Sequence, residues 1–373
     1  MFKKTLWMLV LVLGSGSFAS AVNFELASNY KNLYSISKTV QGENYNLDLN
    51  RFRLQIRSQI LDNLSWETQY DMEWYIGSFL RTLAFPAFKN YRPPTNFDLI
   101  SPLIDTENLY ARQKLYRFYL NISTPAGDVK LGRQKIPWGT GKVWNPTDPF
   151  NPIAYTSLER EERAGVDAIS YEMPLSALSS LNLVYSQRPS LSTWGGRLHT
   201  HIGATDCSLL GVKNGENYML GFDFAGQILS AGIHGEAAFT RSVMDADYAQ
   251  VVIGCDYTFP NSLYCLMELY HNGQGKSNSA EYQWNRWLSG EITNLAKNYG
   301  FLGVTYELSS RIKGGSYYLY NLDDNSSFWN PFVEYSLTEN ASGLVGGYLV
   351  NGKSNSEFGS FSNNYYLQLR WFF

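Results

Sequence analysis

The sequence predicts a single antiparallel transmembrane β-barrel of about eighteen strands, and three observations predict it. Alternation of apolar and polar residues with a period of two recurs along the chain. Beyond its first residues no stretch is apolar for long enough to cross a membrane as a helix. Short connections between the strands alternate with longer ones. Composition agrees: 16% of residues are aromatic, yet only 17% are charged and mean hydropathy is −0.26. A barrel reconciles few charges with modest hydropathy, because half of each strand meets lipid and half meets water.

Residues 1–21 read as a signal peptide, with Lys3 and Lys4, an apolar run over 6–13, and Ala19-Ser20-Ala21 for cleavage. Residues 22–373 are then the barrel, with a first strand near 23–36 and no room before it for a plug domain. The clearest alternation follows. Leu64, Trp66, Thr68, Tyr70, Met72, Trp74 and Ile76 interleave with Ser65, Glu67, Gln69, Asp71, Glu73 and Tyr75. The preceding strand sets Phe52, Leu54 and Ile56 against Arg51, Arg53, Gln55 and Arg57, and Asp62-Asn63 turns the hairpin. Acids are poor strand formers, so their regular use on one face points to a water-filled interior.

Further strands are expected near 114–123, 127–136, 164–173, 180–188, 196–203, 206–213, 217–225 and 230–241. The rest fall near 249–259, 262–271, 298–308, 312–322, 328–338, 342–351 and 364–373. One miscounted hairpin would make the total sixteen. Turns at 61–63, 124–126, 203–205, 260–261, 309–310 and 339–340 are short, whereas 77–112, 137–163, 273–297 and 352–363 are long. That is the pattern of periplasmic turns and outer loops. In the last strand Tyr365, Leu367, Leu369, Trp371 and Phe373 alternate with Tyr366, Gln368, Arg370 and Phe372. This strand must pair with the first to remove both sheet edges. It also resembles the assembly signal that ends bacterial outer-membrane proteins.

With the polar face turned inward, Arg51, Arg53, Arg57, Arg117 and Arg370 form a basic wall. Glu67, Asp71 and Glu73 lie close to it, while Asp223, Glu236, Asp256, Glu268, Glu307 and Glu334 make the far wall acidic. Two readings stand side by side. One is a transverse field that filters solutes. The other is pairing of the three arginines with Glu67, Asp71 and Glu73 inside one hairpin.

The segment Gly132-Arg133-Gln134 leads into Trp138-Gly139-Thr140-Gly141, then Trp144-Asn145-Pro146-Thr147-Asp148-Pro149. Prolines, Asn and Asp fix turns, and Gly139 and Gly141 open backbone shapes that other residues avoid. Such a rigid loop suits folding inward as a constriction built from Trp138, Gly139, Gly141, Trp144, Asn145 and Asp148, with charges 159–163 reaching the lumen. The motif resembles that of a widespread group of porin-like outer-membrane proteins, which carry a Gly-Arg-Gln strand end, a Trp-Gly-x-Gly turn and an Asn-Pro-rich loop. The resemblance implies a porin-like or substrate-selective channel and names no solute.

The loop over 77–112 is apolar for its place, with Phe79, Leu83, Phe85 and Phe88, and is expected to join the constriction or form a lid. Tyr282, Trp284 and Trp287 beside Glu281, Arg286 and Glu291 are a weak sugar-binding signal. His199 and His201 share a strand face, but Arg197 beside them would repel a metal. His234 sits next to Glu236 without a Gly-x-Ser-x-Gly elbow, so an enzyme is not expected. Cys207, Cys255 and Cys265 read as small strand residues, with a Cys255–Cys265 bridge as the alternative.

The expectation is an outer-membrane channel for passive diffusion of small hydrophilic solutes, narrowed by its loops. The alternative is a carbohydrate-export or surface-polymer-binding barrel. No cofactor or metal is implied. The expected partners are outer-membrane lipid, the barrel-assembly machinery acting through the C-terminal strand, and the solutes. A net charge of −3 excludes nucleic acid, and a homo-oligomer is left open.

Overall fold

The computed structural model describes residues 23–39, 41–91, 95–151, 165–189 and 191–373. The expected leader over 1–21 and the charges at 159–163 lie outside the described residues. The strands are β1 (Asn23–Lys38), β2 (Asn44–Leu61), β3 (Leu64–Ile76), β4 (Ile100–Asp105), β5 (Leu109–Thr124), β6 (Gly127–Gln134) and β7 (Val166–Ser176). Next come β8 (Ser179–Arg188), β9 (Leu191–Ile202), β10 (Thr205–Asn214), β11 (Asn217–Ile228), β12 (Ala231–Arg241) and β13 (Tyr248–Thr258). The chain ends with β14 (Leu263–Asn272), β15 (Asn298–Glu307), β16 (Ile312–Asn321), β17 (Ser327–Thr338), β18 (Ala341–Asn351) and β19 (Asn364–Phe372).

All pair antiparallel in one sheet, which closes because β1 bonds both β2 and β19. Backbone bonds between Ser28 and Phe373, at 2.9 and 3.3 Å, complete the seam. Eighteen strands make the wall, and β4 is an addition that sequence alternation does not reveal. Its reason is local. Pairs between β5 and β6 stop at Phe118↔Arg133, because the chain leaves the wall after Gln134. Further along β5, β4 takes the free edge, from Ile100↔Lys114 to Asp105↔Tyr110. Edge strands left bare invite wrong pairing, so the patch protects the wall.

Arg133 stitches this seam. Its guanidinium donates to both Asp167 carboxylate oxygens at 2.8 and 2.9 Å and to the Phe97 carbonyl at 2.6 Å. The Phe97 N–H donates to Asp167 at 2.9 Å. Asp167→Ala would leave a buried guanidinium without its carboxylate, a cost of about 3–5 kcal/mol. A lower temperature for loss of heat-modifiable electrophoretic migration is expected, and an unchanged one would refute the stitch.

Outward positions form a continuous apolar belt through cross-strand pairs such as Leu209↔Phe222, Ile253↔Leu269, Met267↔Leu302 and Val345↔Leu367. Leu209 and Leu269 are more than half exposed. Water would penalise so large an apolar face, and lipid is its natural solvent. The three cysteines are free. Cys255 faces Met267 and Cys265 faces Tyr257 in register, so the bridge considered from sequence does not form.

The interior departs from a plain water-filled lumen. Segments from the longer connections fold in and pack on inward aromatics. A helix over Phe85–Asn90, with Phe79, sits on Tyr75 and Tyr110. Elsewhere Ile292, Leu295 and Phe358 join Tyr299, Phe328, Tyr348 and Tyr366 in the same buried cluster.

Candidate functional site

The segment after β6 enters the lumen and crosses to the inner faces of β9–β15. Trp138 meets Phe150 edge-on at 5.0 Å. Gly195 of β9 makes room for both, since a Cβ there would come within 2.7 Å of Trp138 and 3.1 Å of Phe150. Trp144 stacks on Tyr270 at 5.1 Å, and Tyr299 lies 5.8 Å from it. Asp148 caps the turn by accepting from the N–H groups of Phe150 and Asn151 at 3.0 and 2.8 Å. Gly139 has φ +82°, and a Cβ on Gly141 would lie 1.9 Å from the Trp144 carbonyl oxygen. Both glycines are therefore required by the path of the chain.

Two acids hold the segment. Glu236 of β12 accepts from the N–H groups of Thr140, Gly141 and Thr147 at 2.6, 2.6 and 3.0 Å. It also accepts from the Asn145 amide at 3.0 Å and the Thr147 hydroxyl at 2.7 Å. Glu268 of β14 accepts from the N–H groups of Lys142 and Val143 and lies 2.8 Å from the His234 ring. Both carboxylates are almost fully buried. A buried carboxylate is stable when several N–H donors converge on it, and here the loop backbone supplies them. His234 thus touches Glu268 rather than Glu236, its neighbour in sequence.

The other acids are placed differently. Asp223 meets Arg197 at 3.3 Å, and Glu334 meets Arg370 at 2.9 Å. Asp256 is half-buried on β13, and Glu307 is exposed at the end of β15, in register with Lys313. The first hairpin shows the pairing reading at Arg53 and Arg57. Arg53 bonds Asp71 through two nitrogens at 2.5 and 2.7 Å, and Arg57 bonds Glu67 at 3.0 Å. Glu73 faces Arg51 in register but bonds Arg112 at 2.6 Å and Lys114 at 3.0 Å.

Sequence reasoning missed Arg112 because its stretch reads as loop, and it missed Lys31, which faces both Arg51 and Arg370 in register. A bulge between the Gln69↔Arg117 and Tyr70↔Leu115 pairs turns Tyr116 toward the same wall. Tyr116 lies 4.1, 5.0 and 5.4 Å from the Arg53, Lys114 and Arg117 cations. Basic side chains therefore crowd the β1–β5 wall around one aromatic ring. Opposite them, Glu236 and Glu268 are occupied by loop donors.

The aromatic set after β14 does not form an exposed sugar platform. Tyr282 donates to Asp324 at 3.0 Å, and Trp287 packs 5.7 Å from Phe361. Arg286 clamps Asp245 at 2.9 and 3.1 Å, and these bonds hold the Asp245 carboxyl below its ordinary range. His201 reaches Asp206 at 2.9 Å and His199 reaches Ser208 at 3.3 Å. Among the described residues no three acid, histidine or cysteine side chains gather as metal ligands.

No protein-family model matches the sequence, and no curated protein matches it. Solved structures do. The outer-membrane protein OpdK of Pseudomonas aeruginosa aligns over 94% of this chain and 98% of its own, with TM-score 0.60 and 10% identity. OccAB2 of Acinetobacter baumannii aligns over the same shares with TM-score 0.60 and 9% identity. The fold is that of OpdK and OccAB2. A further structure shows OpdK with vanillate, again at TM-score 0.60, 10% identity, and 94% and 98% coverage. At such identity the likeness establishes the barrel and leaves the solute to the residues of this chain.

Proposed function

We propose that the protein is an outer-membrane channel through which small hydrophilic solutes diffuse, narrowed by the segment over 135–151. The observation that carries this reading is the hold of Glu236 and Glu268 on that segment inside a closed barrel with an apolar belt. Likeness to OpdK, an outer-membrane protein, supports the location. Of the residues expected to line the pore, the arginines of the first strands keep that role in this reading, whereas Glu236 and Glu268 anchor the inward segment. Arg51, Arg57 and Arg117 face the passage from one wall, and the inward segment borders it from the other. Arg51, Arg57 and Arg117 then set the field on the side of the passage facing the segment. The final strand, ending in Phe373, is what the assembly machinery would engage.

The test is single-channel current across a planar bilayer under a salt gradient. Discrete openings are expected. Arg51, Arg57 and Arg117 replaced together by Gln should move reversal toward cations while Arg53–Asp71 keeps the hairpin intact. A bilayer that stays sealed at high protein dose would overturn the channel.

A further inference from the structure

Beside the inward segment, on its long-loop side, lies a cavity of about 230 Å³. Trp144, Asn145 and Pro146 bound it on one side, and the ends of β8 and β10–β14 with residues 290–294 enclose the rest. Sites for drug-sized ligands span about 300–1,000 Å³, so this one suits a single small ring.

Its lining carries both signs of charge. Arg188 lines it together with Asp148 and Glu291, and Arg286, outside the lining, engages Glu291 at 2.7 Å. A solute with net charge gains little from such a site. Hydrogen-bonding capacity is what the cavity offers. The Arg188 guanidinium makes one contact, a long one to the Pro149 carbonyl at 3.5 Å, and has no carboxylate partner among the described residues. Asn217 uses its carbonyl oxygen for the Val243 N–H, leaving its amide donors. Gln250 donates to Tyr270 and Asn272, and Gln274 donates to Asp245, leaving both carbonyl oxygens as acceptors. Val212, Met219, Tyr248 and Ile292 add apolar surface.

Donors and acceptors beside apolar surface match the hydroxyl rim and C–H face of a sugar. A planar guanidinium can reach two adjacent hydroxyls at once. We propose that this cavity binds one neutral sugar ring, with Arg188 and Gln250 as its principal contacts. The inference deepens the channel reading by naming a solute class, and rests on it.

Calorimetry on the detergent-solubilised full-length protein tests it with glucose, galactose, xylose, acetate and glycine. Saturable heat from at least one sugar is expected. Arg188→Gln and Gln250→Ala, each checked for intact heat-modifiable migration, should weaken binding about tenfold, equal to about 1.4 kcal/mol. No saturable heat from any sugar, acetate or glycine binding as tightly, or wild-type affinity in both variants would overturn the site. Bilayer recordings separate the two claims. Open channels without sugar binding sink the cavity alone, whereas sealed bilayers sink the channel whatever calorimetry shows.

Discussion

Glu236→Gln combined with Glu268→Gln should raise single-channel conductance severalfold and make the current noisy. The two carboxylates take hydrogen bonds from one short segment, and hydrogen bonds to charged groups are worth about 1.5–3 kcal/mol each. An amide keeps the side-chain volume but loses one acceptor oxygen and turns an NH2 group toward N–H donors. At Glu236 that change meets Thr140, Gly141, Asn145 and Thr147 together. Nothing in the wall itself depends on these bonds, because β12 and β14 keep their ladders with β11, β13 and β15. The barrel should therefore fold while its constriction loosens. Asp256→Asn, on the same wall but away from the segment, serves as the control. A folded double variant with wild-type conductance would mean that Trp138, Trp144 and Phe150 hold the segment without the acids.

Much of this barrel is legible in the sequence because each strand face has one solvent. Leu367, Leu369 and Trp371 must meet lipid, and Gln368 and Arg370 must not, so a period of two survives with little ambiguity. Pairing within the first hairpin was legible for the same reason, since neighbours in sequence become neighbours in register. The failures share a different cause. β4 is short, contains Pro102 and exists only because β6 leaves the wall, which no local pattern announces. Glu236 and Glu268 read as an acidic wall because their partners lie about ninety to 126 residues away in a loop. Backbone N–H groups carry no signature in sequence, so a charge they satisfy looks free. A hint was present in the glycines of Trp138-Gly139-Thr140-Gly141, whose exposed amides suit an anion.

Outer-loop packing should weaken as pH rises through neutrality, and Glu357 is the reason. It lies in the loop after β18 and is almost fully buried. Tyr299 and Asn321 donate to its carboxyl at 2.7 and 2.8 Å, and its own N–H donates to Asp324 at 2.7 Å. Tyr282, from the loop after β14, reaches the same Asp324. Burial pushes the Glu357 carboxyl up from 4.5 to about 7, and the Asp324 charge adds to the rise against the opposing hydrogen bonds. The folded loop thus holds its proton over a range where the released chain has lost it. Stability from this group is complete below pH 4.5, declines as pH climbs to about 7, and is lost above. A shift of that size corresponds to roughly 3 kcal/mol. Backbone amides over 352–363 should exchange hydrogen faster at pH 8 than at pH 5, after correction for intrinsic rates. Glu357→Gln, neutral throughout, should hold the loop equally at both. Equal protection in the wild type at the two pH values, or the same dependence in the variant, would show that this carboxyl does not govern the packing.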